Sequence, residues 1–229
     1  MAHDQDYALP HAGAPTREGS REEERVDSRT MFGQVMALVA VTCGFAALGA
    51  YIGRDLKPGV GFGAFIGALG LTFGLRYAIA RSERLAVTLL FGMGLLLGLF
   101  IGPVVNEYAK TDPGVVYQAA GATALFVGGL GAYGYATRRD FSNWARTLFW
   151  SLLALIGFGL ITLFVAIPGG NVIYALLGLV VFGFYTIFDF NRLKRSTDLR
   201  VAPALAASIF LDIFNIFLFM LSLLGGGRR

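Results

Sequence analysis

The chain has 229 residues, of which 55% are apolar and only 15% charged, and its mean hydropathy is +0.63. A soluble domain of this length has no interior large enough to hide so much apolar surface, so the composition excludes an ordinary water-soluble fold and points to an all-α polytopic membrane protein. The net charge of +4 and a pI near 9.4 do not signal nucleic acid, because the basic residues stand in short clusters between apolar runs, where they report membrane orientation.

Residues 1–30 are polar and form an N-terminal tail. Arg17, Arg21, Arg25 and Arg29 recur every fourth position with Glu18, Glu22, Glu23 and Glu24 between them, a pattern that ion pairs one turn apart hold as a short solvated helix. The simpler expectation is a flexible leader with no function of its own. A cleavable signal is not expected, because the first apolar run is too long and comes too late.

Seven apolar runs follow, at 33–53, 59–80, 85–105, 115–137, 145–167, 171–191 and 202–224. Each has about the 20 residues needed to cross a hydrocarbon core of roughly 30 Å. The breaks are short and carry polar or turn residues: RDLKPG at 54–59, RSER at 81–84, NEYAKTDPG at 106–114, RRDFSN at 138–143, PGGN at 168–171 and NRLKRSTDLR at 191–200. Arg81, Arg84, Arg138, Arg139, Arg146, Arg192, Lys194, Arg195 and Arg200 fall on the same side as the tail, which the positive-inside rule makes cytoplasmic. An odd number of spans then puts the C-terminus outside, against the mild contrary signal of Arg228 and Arg229. The expected residence is a bacterial plasma membrane. Glycine is abundant (31 residues), as in GGLGAYG at 128–134, which lies in an expected helix and reads as a packing surface for closely approaching helices.

Enzyme chemistry has little to stand on. Cys43 is the only cysteine, and His3 and His11 are both in the tail, so no thiol or histidine site is expected in the membrane and no cofactor is implied. The informative residues are ionisable ones in or beside spans, each costing about 2.5–3.5 kcal/mol at a helix centre. Arg76, Asp189 and Asp212 stand out. Asp189 is near the cytoplasmic end of the sixth run and Asp212 about ten residues into the seventh, so antiparallel neighbours bring them to similar depth. Two carboxylates in one poorly solvated place cannot both ionise cheaply; the pair is expected to titrate as a unit and to act as a proton sensor. Ser208 and Asn215 share a helical face with Asp212, and Tyr185 and Arg192 flank Asp189 at the same spacings. Arg76 also reads as a snorkelling side chain.

Three segments carry a resemblance: TRRDFS at 137–142, YTIFDFNRLKR at 185–195 and SIFLDIFNIFLFMLSLLG at 208–225. In this order and on these spans the chain resembles the Bax inhibitor-1 family (transmembrane Bax inhibitor motif family), with its bacterial YccA-like and YetJ-like members, over about residues 31–225. The resemblance implies a seven-helix bundle around a central last helix, with Asp189 and Asp212 as a hydrogen-bonded pair on the cytoplasmic side. It implies a pH-dependent calcium leak, with an arginine near the end of the second helix latching the sixth-helix aspartate. Arg81 and Arg76 are the two candidates for that arginine. Residues 59–80 contain no Asp or Glu, so a carboxylate that some relatives carry there is missing.

Together these readings give a mechanism: a shared proton holds the last two helices together, and its loss is relieved by helix motion or by a cation. Calcium suits the oxygen ligands of Asp189 and Asp212, but two carboxylates fall short of its usual six to eight ligands, so transient occupancy is expected. The expected partners are therefore the lipid bilayer, calcium and protons. The alternative is a non-transporting regulator that binds other membrane proteins, as the family's link to cell-death suppression and membrane proteases suggests. An intramembrane aspartyl protease is disfavoured, because Asp189 follows Phe188 and Asp212 follows Leu211 where Tyr-Asp and Gly-x-Gly-Asp would be needed.

Overall fold

The structure is a computed structural model that describes residues 17–165 and 167–226, with the backbone alone for 17–28, Pro58 and Leu163. One helix occupies each apolar run: α1 (Arg17–Gly53), α2 (Pro58–Ile79), α3 (Glu83–Thr111), α4 (Pro113–Ala136), α5 (Trp144–Phe164), α6 (Gly170–Arg195) and α7 (Ala202–Gly226); α2 and α4 stop one residue short of the expected ends, and α5 stops at Phe164 where the run was expected to reach 167. All seven are long and apolar enough to cross a membrane, and no strand occurs among the described residues. The protein is thus an all-α, seven-span bundle. His3 and His11 lie outside the described residues.

Several helices continue past their apolar runs, because polar residues at headgroup depth do not need a loop. α1 begins at Arg17, within the polar tail. α3 carries Asn106, Glu107 and Lys110 helically to Thr111, and Asp112 alone joins it to α4, ending the one and accepting a bond from Gly114 N (3.0 Å) to start the other. α6 stays helical through Asn191, Arg192, Leu193 and Lys194 to Arg195; a single 3-10 turn (Leu199–Val201) then leads into α7. The bundle has a basic end, formed by the α2–α3, α4–α5 and α6–α7 junctions, and an opposite end where the described side chains of Arg54, Lys57 and Lys110 balance those of Asp55, Glu107 and Asp112.

α7 is the central helix. It packs on α1, α2, α3, α4 and α6, and Leu205, Ile209, Phe210, Ile216 and Leu221 on it are almost wholly buried. Around it, α1 and α3 approach most closely. A Cβ on Gly98 would strike the Ala46 carbonyl, and one on Gly102 would sit 2.6 Å from the Ala50 carbonyl oxygen, so only glycine admits this contact. Gly131 and Gly134 do the same for α4 against α6, meeting the Phe190 ring and the Ile187 backbone. The side of α5 away from α6 turns Phe149, Trp150, Leu160 and Ile161 outward, as a lipid-facing helix does.

Candidate functional site: a buried carboxylate pair

Asp189 and Asp212 are each only 3% exposed. Their burial follows from chain order. Asp189 is six residues before the end of α6 and Asp212 ten residues after the start of α7, at depths of about 9 and 15 Å on two packed antiparallel helices. The two carboxylates lie within electrostatic reach of one another. The Ser208 hydroxyl, one turn before Asp212, is placed to donate to Asp189 across the helix interface. Tyr185 feels both carboxylates, and Arg192, exposed one turn beyond Asp189, is the cation whose field reaches it. Asp212 Oδ2 is buried with no hydrogen-bond partner among the described residues. Leaving such an acceptor unmatched costs on the order of 1–3 kcal/mol or more, which bundles do not carry without return elsewhere.

The other sequence candidates fall in different places. Asn215 stays beside the pair on α7 but turns its amide to its own helix, Nδ2 donating to the Leu211 carbonyl at 2.7 Å. Arg76 is exposed on α2. Arg81 is exposed at the basic end, with its guanidinium stacked 4.2 Å above the Tyr77 ring.

Sequence reasoning missed a polar clamp just below the pair. Asn191 is 3% exposed, and its Nδ2 donates to the carbonyls of Gly134 and Arg139, both at 3.2 Å. Lys194 Nζ donates to the Thr137 carbonyl (3.0 Å), and Arg195 donates to the Arg139 carbonyl (3.0 Å) and pairs with Asp140 at 2.7 Å. These groups satisfy carbonyls that the end of α4 leaves without intrahelical donors. Asp140 also accepts from the Ser142 amide (2.8 Å) and hydroxyl (2.6 Å); with the Arg195 guanidinium these hold its carboxyl down at about 2. The TRRDFS and NRLKR segments are therefore two halves of one joint. The sequence carried no signal for it, since Asn191 stands where the apolar run ends and reads as the start of a loop.

No group of three His, Cys, Asp or Glu side chains that could hold a metal occurs among the described residues. Two cavities, of about 730 and 620 Å³, lie along the gap between α1 and α4, over the other face of α7, and no carboxylate lines either. Asp189 and Asp212 are thus buried side chains on the packed pair α6 and α7.

Comparison with known proteins gives a consistent match. Residues 28–229 match a family model described as inhibitor of apoptosis-promoting Bax1. The chain is 32% identical to an uncharacterized membrane protein of Vibrio cholerae, covering 91% of this chain and 92% of that one. It is 28% identical to an uncharacterized protein of Pseudomonas aeruginosa (97% and 96% covered) and 26% identical to one of Campylobacter jejuni (91% and 95%).

Proposed function

The chain belongs to the Bax inhibitor-1 family, and from that premise we propose that it is a pH-sensitive calcium leak of a bacterial plasma membrane, gated by Asp189 and Asp212. The observation that carries the reading is the buried pair with its unmatched Asp212 Oδ2. With one proton between them, a carboxyl and a carboxylate hydrogen-bond to each other and hold α6 against α7. Losing that proton sets two negative charges face to face in a poorly solvated place. The groups acting on the pair are Tyr185 and Arg192 from α6 and Ser208 from α7; Arg192 is exposed and screened, so it offsets the repulsion only partly. The repulsion is relieved by separation of the helices or by a cation, and calcium, which takes oxygen ligands, is the proposed cargo. Two carboxylates complete no calcium shell, so the ion passes without being held.

The basic end is assigned to the cytoplasm, with the N-terminus, because cytoplasmic loops collect Lys and Arg. Arg81 or Arg76 is retained as the latch of the open-to-closed change, reaching Asp189 only when the basic end rearranges.

Calcium entry into proteoliposomes between pH 5 and 8 tests the gate. The unaltered protein is expected to pass more calcium as pH rises, and Asp189→Asn and Asp212→Asn, which cannot lose a proton, to give flat and low flux. Flux no greater than that of empty vesicles at every pH would sink the channel reading.

A second reading is a regulator that binds other membrane proteins. It is favoured by the backbone of α1, which is helical from Arg17, about 24 Å ahead of the apolar run at 33–53. Deleting residues 1–30 separates the two: loss of cellular activity with calcium flux intact supports the regulator.

A further inference from the structure

α1 packs on α3 and α4 packs on α6, and the two helices flank α7 without packing closely on each other. The seam between them is open to the side. In its half nearer Asp112 the opening has a volume of about 620 Å³ and runs along α1 from Cys43 to Arg54. Eleven residues of helix rise about 16 Å, close to half of a hydrocarbon core of roughly 30 Å. Its walls are small side chains, Ala47 and Ala50 on α1 and Ala120 on α4, and its floor is the rings of Phe214 and Phe217. A slot of this length and lining has the dimensions and polarity of one alkyl chain.

What stands at its end decides the occupant. Arg54 closes the slot at the level where the apolar lining stops, with its guanidinium 4.6 Å over the Tyr51 ring. Its Nε donates to Asp55 at 3.2 Å, which leaves further N–H donors on the guanidinium. Asn106 Nδ2 donates to the Arg54 carbonyl at 3.1 Å and ties this mouth to α3. An arginine beside a tyrosine at headgroup level, over an alkyl-sized slot, is complementary to a phosphate ester carrying an acyl chain.

We infer that the α1–α4 seam binds one anionic phospholipid of the leaflet at the Arg54 end, its phosphate on Arg54 and an acyl chain along Ala47, Ala50 and Ala120 over Phe214 and Phe217. The site is separate from the carboxylate pair. Phe214 and Phe217 lie about 140–160° around α7 from Asp212, so the lipid occupies the face of the central helix turned away from the carboxylate pair.

Native mass spectrometry of the full chain in detergent, titrated with phosphatidylglycerol and with phosphatidylethanolamine, tests the site. The unaltered protein is expected to hold one phosphatidylglycerol about two- to fivefold more tightly than phosphatidylethanolamine, the upper figure being the factor that one arginine at a membrane surface supplies and the lower reflecting its pairing with Asp55. Arg54→Gln should erase that preference. Ala47→Leu should weaken binding of both lipids, and Ala120→Leu, on the facing wall, should repeat the effect if either variant folds poorly. Gly44→Leu, on α1 with open space around it and outside the slot, should leave binding unchanged. Equal lipid retention by all four variants overturns the inference, and so does a preference that survives Arg54→Gln. A lipid-free dimer that Ala47→Leu disperses also overturns it, in favour of a second copy of the chain in the seam.

Discussion

Replacing Asn191 with leucine keeps the number and branching of the side-chain heavy atoms, at some gain in volume, and removes both donated hydrogen bonds, so it probes the joint between α6 and the end of α4. Two carbonyls lose a partner. That of Arg139 keeps Arg195, whereas that of Gly134 has no helical donor to return to, since the chain leaves the helix at the extended Thr137 (ψ 146°) and Arg138 N, its donor four residues on, is turned away. One buried acceptor left unmatched costs about 1–3 kcal/mol, and the partial rescue at Arg139 places the expected loss near 1–2 kcal/mol. That is a fall of roughly 5- to 30-fold in the folded-to-unfolded ratio. Unfolding followed by circular dichroism in mixed micelles with increasing denaturing detergent gives the difference directly. The same sample, labelled with a thiol reagent at a cysteine introduced at Ser142, should show faster labelling as the 137–142 segment loosens. An Asn191→Leu protein with unaltered unfolding and unaltered labelling would refute the reasoning, because it would mean that water replaces the amide without loss.

Gly98→Ala should destabilise the bundle by about 1–3 kcal/mol, because its methyl group meets the Ala46 backbone, which cannot move aside; Gly63→Ala, with open space around it, should be neutral in the same melting assay. Asp212→Leu should abolish any pH response of calcium flux and should lower stability at low pH, where the shared proton ties α6 to α7, while costing little at high pH, where it removes a buried charge facing Asp189; equal stability changes at the two pH values would show that the pair shares no proton. The Asp140 carboxyl, followed by carbon NMR, should titrate near 2, below an ordinary aspartate. Because its folded value is the lower one, its contribution to stability is present above about pH 4 and disappears as pH falls toward 2; Arg195→Gln should move the midpoint upward.

The seven spans were legible because hydrocarbon thickness imposes a length on any apolar run, and the pair was legible because a lone carboxylate such as Asp212 in the run 202–224 has no cheap explanation. The helix ends were harder to read. Polar residues such as Asn106 and Asn191 look like the start of a loop, yet at the membrane surface they extend a helix and find partners there. The clamp was invisible for a further reason: Asn191, Lys194 and Arg195 bond main-chain carbonyls more than fifty residues away, and a carbonyl leaves no mark in the sequence. Arg81 stacks on Tyr77, four residues before it, and so lies where a side chain one turn away on the same face can hold it. The α1–α4 seam depends on which helices fail to meet, and composition carries no trace of that.

The junction at Asp112 bears on how the protein enters the bilayer. α3 and α4, 29 and 24 residues long, are joined by a single residue that is at once the last cap of one and the first cap of the other. So short a junction leaves no loop between the two helices, and they are expected to enter the bilayer as one helical hairpin with Glu107, Lys110 and Asp112 at its tip. Lengthening the junction with a few glycines should let them enter one after the other.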